Sequence, residues 1–211
     1  MVGVMIHIGV LVSGRGSNLE AILDAAQNKY ITRGQASVVV SNKPNSPALG
    51  IAEKHQVSTV TVDDHGFSKK SWDYDQKVIA ALKSHGVTPN EGLVLLAGYM
   101  RIVSDQFIDE YHNRIMNVHP ALLPSFPGLE AQRQALEHGV KVAGCTVHFA
   151  EKTVDAGPII LQAHVPVRED DTVETLSKRV LREEHRIYPE AVRLFTEDKL
   201  QVEGRRVVIK P

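Results

Sequence analysis

The segment Met116–Pro120 carries the clearest chemical signal in this chain, because polar side chains interrupt an apolar run. Asn117 and His119 alternate with apolar residues, so their side chains would point to the same face of a strand. An amide donor beside an imidazole can stabilise negative charge that develops on a reacting oxygen. Taken singly, each residue also fits a structural role as a buried side chain hydrogen-bonded to a turn.

Asp155 is a second candidate, in the segment Thr153–Pro158. An aspartate directly before Ala-Gly-Pro is typical of an Asx turn. In the alternative interpretation its carboxylate reaches His119 and favours the charged imidazole. Both interpretations stay open at this point, because the second needs a contact between residues far apart in the sequence.

A glycine loop, Ser13–Asn18, lies between an apolar run and a helical pattern. Backbone N–H groups in such a loop, together with a helix N-terminus, can bind phosphate. The alternative is a tight strand-to-helix turn with a serine or asparagine cap. Leu19 stands where a dinucleotide fingerprint needs its third glycine, and the Gly-Lys-Ser/Thr of a Walker loop is absent. The loop therefore suits a single phosphate better than a dinucleotide.

Three further segments each allow a functional and a structural interpretation. The wall segment, Ala97–Val103, is either a loop that leads to a capped helix or a surface for a flat ring. Glu184 and His185 are typical of a solvated helix face, and His148 of a hydrogen-bonded core histidine. No group of histidine, cysteine, aspartate or glutamate has the spacing of metal ligands, so no metal is expected.

Composition places the chain among ordinary globular proteins. It has 211 residues, 43% hydrophobic and 23% charged, with a net charge of -1. This balance argues against a general nucleic-acid or membrane binder.

The single cysteine, Cys145, allows no internal disulfide and predicts a reducing, cytoplasmic location. Within its apolar run it is expected to be a small buried hydrophobe. The apolar stretch Val2–Val12 has no preceding positive charge and does not resemble a signal peptide.

β-branched runs alternate with helical patterns through the first half of the chain. This order predicts an α/β fold with a mostly parallel, open twisted sheet flanked by helices. Strands are expected at Met5–Val12, Ala36–Ser41, Thr59–Val62, Leu93–Ala97 and Ile115–Val118. Helices are expected at Leu19–Asn28, Ala48–His55, Trp72–His85 and Asp105–Tyr111, the last capped by Ser104.

The C-terminal part is expected to be antiparallel. Three prolines confine Pro120–Gly128 to a loop, and a helix should follow at Leu129–His138. We then expect an antiparallel pair of strands, a long helix that Pro189 kinks or breaks, and a terminal hairpin. The pair lies at Ala143–Ala150 and Ile159–Val165, the helix starts after Thr172, and the hairpin spans Leu200–Ile209.

Four motifs in this order closely resemble the folate-dependent formyltransferases, and among them the phosphoribosylglycinamide formyltransferases. They are Ser-Gly-Arg-Gly-Ser-Asn-Leu from Ser13, Leu-Ala-Gly-Tyr-Met-Arg-Ile from Leu96, Asn-Val-His-Pro-Ala-Leu-Leu-Pro-Ser-Phe-Pro-Gly from Asn117, and Val-Asp-Ala-Gly-Pro-Ile-Ile-Leu-Gln from Val154. The likeness runs from about Met5 to Ile187-Tyr188-Pro189. It implies a Rossmann-like formyltransferase fold.

The resemblance also implies an activity and a set of site residues. The activity is transfer of the formyl group of 10-formyltetrahydrofolate, a co-substrate, to the amine of glycinamide ribonucleotide in purine biosynthesis. The implied catalytic residues are Asn117, His119 and Asp155; the phosphate-binding residues are Gly16, Ser17 and Asn18; Glu184 lies near the glycinamide; and the folate-binding residues are Met100, Arg101, Ile102, Val103, Asn117 and Lys70, with Lys69 as the alternative to Lys70.

Several expectations accompany this resemblance. The chain would be one domain, with a phosphate-binding half over 1–112 and a catalytic and folate half over 113–211. It would act on small molecules, without nucleic acid or membrane, as a monomer or homodimer. A formyltetrahydrofolate hydrolase or a methionyl-tRNA formyltransferase is the close alternative, and a non-catalytic phosphate binder the more distant one. Glu130-Ala131-Gln132 departs from the His-x-His that the family often carries, which leaves the detail of that loop open.

Overall fold

The computed structural model describes residues 4–211, and its central element is a nine-stranded sheet. The strands are β1 Ile6–Val12, β2 Gly34–Ser41, β3 Ser58–Thr61, β4 Gly92–Leu96, β5 Ile115–His119, β6 Val142–Phe149, β7 Ile159–Pro166, β8 Leu200–Glu203 and β9 Arg206–Ile209. The helices are α1 Ser17–Gln27, α2 Pro47–Lys54, α3 Trp72–Ser84, α4 Asp105–Glu110, α5 Ala131–Glu137 and α6 Val173–Thr196.

The strand order is β3-β2-β1-β4-β5-β6-β7-β9-β8. Strands β3 to β5 along this order are parallel, whereas β5–β6, β6–β7 and β8–β9 are antiparallel. The predicted α/β class, with its antiparallel C-terminal part, is therefore confirmed. The predicted elements also occur in the predicted order, with bounds that differ by one or two residues at most ends.

Helices cover both faces of the parallel part of the sheet, which explains why the central strands β1 and β4 lack a polar face. One core contains apolar residues of α1, α2, α5 and α6, and the other contains those of α3 and α4. Along β1, Val10 and Val12 belong to the first core and Leu11 to the second. Such continuous apolar runs are typical of a parallel sheet that is buried on both sides.

The sheet order reverses at β1, and this places several loops together. The first strand lies between β2 and β4, so the chain that leaves β1 and the chain that leaves β4 emerge side by side. Open α/β sheets bind ligands at this position, beyond the carboxyl ends of the strands. The glycine loop follows β1, the wall segment follows β4, and Asn117 and His119 end the adjacent β5.

Pro189 does not break the long helix, although a break was one of the two outcomes expected there. Helix α6 runs without interruption from Val173 to Thr196 with Pro189 inside it. Proline removes one backbone hydrogen bond from a helix, but this segment is held by packing, because Ile187, Tyr188 and Ala191 are all buried. The Tyr188 hydroxyl also donates to the carbonyl oxygens of β4 and β5. Tertiary contacts here outweigh the local preference.

Among residues 4–211, the helices are too short or too polar to cross a bilayer.

Candidate active site

His119 and Asp155 are neighbours in the structure. His119 Nδ1 lies 3.3 Å from Asp155 Oδ2, with the two side chains 5% and 8% exposed. His119 Nε2 donates to the carbonyl oxygen of Phe126 at 2.8 Å. Nδ1 thus faces a carboxylate and Nε2 faces a backbone carbonyl oxygen. The contact expected between this pair exists, although it joins residues 36 positions apart.

The Asp155 side chain does not form the Asx turn that its local sequence allows. Its Oδ2 atom accepts a hydrogen bond from the backbone N–H of Gly128, at 2.8 Å, in the loop after β5. The residue itself has a φ of 54°, a left-handed conformation that aspartate tolerates better than most side chains. The turn thus aims the carboxylate at His119 and at the preceding loop.

Asn117 contacts a residue that sequence analysis treated as structural. Its Nδ2 atom donates to His148 Nε2 at 3.2 Å, because Asn117 and His148 are opposite each other in the β5–β6 ladder. His148 Nδ1 donates to the carbonyl of Phe149 at 2.9 Å, so its Nε2 is the acceptor. Burial lowers the pKa of His148, against weaker opposing effects of that carbonyl and of Asp155. A neutral imidazole is the form that this hydrogen bond requires.

His148 also lies 3.7 Å from Asp155 Oδ1, so it borders both candidate catalytic groups. Its burial, at 1% exposure, agrees with a hydrogen-bonded core histidine. Sequence analysis missed its place in the site. The alternation of side chains along its strand could have predicted this position. A histidine two residues after Thr146, on a strand next to β5, could face the same side of the sheet as Asn117.

The glycine loop is shaped by close packing against α2. Gly16 has a φ of 83°, and a Cβ atom there would lie 2.7 Å from Ala48 Cβ. Both features exclude a larger residue without strain. The Gly14 carbonyl accepts from the Ser46 hydroxyl at 2.8 Å, which is a second contact between the glycine loop and the start of α2. The N-terminus of α1 at Ser17 therefore opens beside the carboxyl end of β1.

Glu184 is buried, and so the solvated helix face considered for it is wrong. It is 6% exposed, and its Oε2 atom accepts from Asn18 Nδ2 at 2.7 Å. Burial raises the pKa of Glu184, while the Asn18 hydrogen bond and the nearby charge of His119 lower it less. The Oδ1 atom of Asn18 is buried without a hydrogen-bond partner among the described residues. Glu184 thus connects the glycine loop with the cluster around His119.

The wall segment is only partly available for a ligand. Met100 is 60% exposed, but its N–H donates to Ser13 Oγ and that of Ile102 donates to Lys69 O. The Arg101 side chain is turned into the protein, where it pairs with Asp64. Arg101 can therefore face a ligand only through its backbone.

Lys70 lies close to the end of the wall segment. Its Nζ atom is 2.6 Å from Asp105 Oδ1, and its side chain is 41% exposed. Asp105 follows Val103 by two residues, so Lys70 is adjacent to the wall segment. Val103 itself is 9% exposed and packs into the core.

Cys145 is poorly suited to act as a nucleophile. Cys145 is fully buried, and this burial raises the pKa of its thiol to about 12. A thiol in that state is not an effective nucleophile.

Within residues 4–211 no group of three histidine, cysteine, aspartate or glutamate side chains is close enough to hold a metal ion. Ala131, in the segment that departs from the family pattern, is buried at the start of α5.

Comparisons with known proteins agree on one family. The model of the formyl transferase family matches residues 6–192. Phosphoribosylglycinamide formyltransferase from Escherichia coli is 39% identical over 196 residues, which are 93% of this chain and 90% of that protein. The human trifunctional purine biosynthetic protein adenosine-3 is 42% identical over 93% of this chain, which spans only 19% of that protein.

A solved structure gives the same result in three dimensions. Glycinamide ribonucleotide transformylase 1 from Symbiobacterium toebii superposes with a TM-score of 0.92 and 53% identity, covering 98% of this chain and 95% of that one. The match supports the α/β fold with its mostly parallel sheet and antiparallel C-terminal strands. This chain belongs to the formyl transferase family.

Proposed function

We propose that this protein transfers the formyl group of 10-formyltetrahydrofolate to the amine of glycinamide ribonucleotide. The observation that carries this proposal is the contact of His119 with Asp155, at 3.3 Å, beside Asn117 and within electrostatic reach of Glu184. A non-catalytic phosphate binder would use the glycine loop but would have no need for this cluster.

The phosphorylated substrate is assigned to the glycine loop and Glu184. The backbone N–H groups at the start of α1, with Gly16, Ser17 and Asn18, suit a phosphate group. From there Asn18 and Glu184 lead toward His119. This arrangement would hold the phosphate at one end and direct the amine at the other end toward the catalytic residues.

The reaction needs one bond to form and one to break. The substrate amine attacks the formyl carbon, and a tetrahedral intermediate forms with negative charge on the former carbonyl oxygen. Collapse of the intermediate breaks the bond between that carbon and the folate nitrogen, and the proton lost by the amine goes to this nitrogen. Asp155 is assigned to this proton transfer, directly or through a water, a role worth about 10²–10⁴ in rate. No covalent intermediate with the protein is required.

Asn117 and His119 are assigned to the oxygen of the intermediate. The Asn117 amide has two hydrogens, of which one goes to His148, so the second can be donated to substrate. The Nε2 hydrogen of His119 is held by the Phe126 carbonyl. Donation of this hydrogen to the substrate oxygen therefore requires that the hydrogen bond to the Phe126 carbonyl be exchanged.

The folate ring is assigned to the wall segment. Residues 100–103 offer the exposed Met100 side chain and the backbone groups that are not bonded to Ser13 or Lys69. These groups can meet the polar edge of a pterin. Lys70 lies at the end of this segment and would face the acidic tail of the folate. In this assignment residues from both 1–112 and 113–211 contribute to one site.

A formyl-transfer assay with the purified chain tests the proposal. 10-Formyltetrahydrofolate is supplied with glycinamide ribonucleotide, with methionyl-tRNA, or with no acceptor, and the formylated product and free formate are quantified by mass spectrometry. We expect formylated glycinamide ribonucleotide to exceed free formate. Formate release at the same rate with and without acceptor would instead identify a hydrolase, and formyl-methionyl-tRNA a tRNA-directed enzyme.

A further inference from the structure

A closed ring of hydrogen bonds joins the glycine loop to the wall segment. The Met100 N–H donates to Ser13 Oγ at 2.8 Å, and the Ser13 hydroxyl donates to Asn42 Oδ1 at 2.6 Å. Asn42 Nδ2 donates to Asp64 Oδ2 at 2.7 Å, and Arg101 Nη1 donates to the same oxygen at 3.2 Å. Since Arg101 follows Met100 in the chain, the circuit is closed. We call these five residues the polar ring.

Every hydrogen bond of the polar ring has only one possible direction. The Met100 amide can only donate, so Ser13 Oγ accepts there and gives its single hydrogen to Asn42. The Asp64 carboxylate can only accept, so the amide nitrogen of Asn42 must face it. The groups therefore match at each step, and substitution of one member would leave a polar partner without its bond.

Three members of the polar ring, Asn42, Asp64 and Arg101, are largely shielded from solvent. Asn42 is 1% and Arg101 8% exposed, and the Asp64 side chain is 13% exposed. Burial by itself raises the pKa of Asp64, but hydrogen bonds from Lys43, Asn42 and Arg101 outweigh it and lower this pKa to about 2. The carboxylate thus stays charged at neutral pH, and its hydrogen bonds are of the stronger, charge-assisted kind.

Arg101 anchors the polar ring to the body of the protein. Its guanidinium lies 3.8 Å from the ring centroid of Tyr74, in α3, and its Nη2 atom donates to the Ser68 carbonyl at 2.7 Å. Tyr74 is fully buried and its hydroxyl donates to Val62 O. The wall segment is therefore attached to α3 and to the chain after β3, and through Asn42 and Ser13 to the glycine loop.

We propose that Asn42 and Asp64 are positioning residues that hold the glycine loop and the wall segment in one relative arrangement, so that both substrates bind more tightly. This inference rests on the proposed function, which assigns the phosphorylated substrate to one segment and the folate to the other. Asn42 acts through Ser13, which immediately precedes the loop glycines, and Asp64 acts through Arg101. Neither residue is assigned a contact with the reacting atoms.

The variant Asp64→Asn tests the inference, with Asp63→Asn as a matched control. The two substitutions make the same chemical change at adjacent positions. Asp63 is exposed, and within residues 4–211 its side chain accepts a hydrogen bond only from the N–H of His65. For Asp64→Asn we expect the KM values of both substrates to rise about tenfold or more, because one lost hydrogen bond to a charged group changes a binding constant by at least about that factor. We expect little change in kcat. A loss of folded protein alone would lower the apparent kcat and leave both KM values unchanged.

Ser13→Ala removes a different hydrogen bond of the polar ring. This variant tests the same inference if Asp64→Asn fails to fold. It should raise the same two KM values, and the double variant should differ little from either single variant because the circuit is already open. Additive effects would show that the two residues act separately. Unchanged KM values, or a rise in only one of them, would overturn the inference.

Equilibrium titration separates this inference from the proposed function. Glycinamide ribonucleotide and tetrahydrofolate are each titrated into the wild-type protein and the variants without turnover. Weaker binding of both ligands to Asp64→Asn supports the positioning role even if the wild type forms no product, an outcome that would refute the proposed function alone. Equal affinities for wild type and variant would refute the positioning role while leaving the proposed function intact.

Discussion

The Nε2 atom of His148 accepts a hydrogen bond from the side-chain amide of Asn117 at 3.2 Å. The two residues are direct partners in the β5–β6 ladder, so the register of two antiparallel strands sets this contact. It fixes the orientation of the Asn117 amide and brings a buried imidazole beside the candidate catalytic pair His119 and Asp155.

Replacing Asp155 with asparagine should abolish most of the turnover. The amide keeps the size of the side chain but removes the negative charge next to His119 and the proton acceptor. We expect kcat to fall by about 10²–10⁴ while the circular dichroism spectrum and melting temperature stay close to those of the wild type. Asp109→Asn, which affects only an exposed pair with Lys152, is the control. Near-normal turnover of Asp155→Asn would remove this residue from the mechanism.

Asn117→Ala should lose the donor assigned to the developing oxyanion. Loss of one such donor costs about 10²–10³ in rate, and we expect this effect in kcat more than in the KM of either substrate. Asn45→Ala, at an exposed loop position, controls for the removal of an asparagine. Steady-state kinetics of the folded Asn117→Ala protein provide the test. An unchanged kcat would contradict the role assigned to Asn117.

Gly16→Ala should both destabilise the protein and weaken binding of the phosphorylated substrate. The added methyl group meets Ala48 at 2.7 Å and requires a φ of 83° from a residue with a Cβ. We expect a loss of about 1–3 kcal/mol in the free energy of unfolding, measured with urea, and a higher KM for glycinamide ribonucleotide. At Gly50 in α2 a new Cβ would meet none of the described residues within 4 Å beyond its own helical turn, so Gly50→Ala should be neutral or stabilising. Equal stability of the two variants would show that the glycine loop accommodates a side chain.

Cys145→Ala should leave catalysis unchanged. Burial raises the pKa of this thiol to about 12, and direct transfer needs no cysteine nucleophile. We expect an unaltered kcat, slow labelling of the native wild-type protein by iodoacetamide, and a loss of about 1 kcal/mol of stability from the smaller side chain. A folded Cys145→Ala protein without activity would overturn the direct-transfer mechanism.

The buried His148 should make stability depend on pH below 6.5. Burial holds its folded-state pKa below its ordinary value of 6.5, so the unfolded chain takes up a proton before the folded one does. The contribution of His148 is therefore fully present above pH 6.5 and decreases as the pH falls below this value. We expect the free energy of urea unfolding to decrease from pH 7 toward pH 5.

His148→Gln should reduce this pH dependence, because glutamine can accept the Asn117 hydrogen bond without titrating. Some slope should remain, since burial also lowers the pKa of His185. His65→Gln, at an exposed position, should leave the slope as in the wild type. An unchanged slope in His148→Gln would assign the acid sensitivity to other groups.

The local sequence determined the elements of the fold and their order. Apolar runs, the Ser104 cap and the prolines after β5 predicted where strands, helices and the loop lie, because periodicity, capping and proline geometry act over a few residues. Alternation along β5 likewise predicted that Asn117 and His119 share a face. Four motifs in order also pointed to the formyl transferase family, which the comparisons then showed.

Only the tertiary structure decided which distant side chains meet. The contact of Asp155 with His119, the place of His148 beside Asn117, and the burial of Glu184 and Arg101 depend on strand register and on the packing of elements far apart in the chain. The unbroken α6 around Pro189 has the same origin, since burial there outweighs a local preference. Such contacts join residues tens of positions apart, and no short-range pattern encodes which pairs will form.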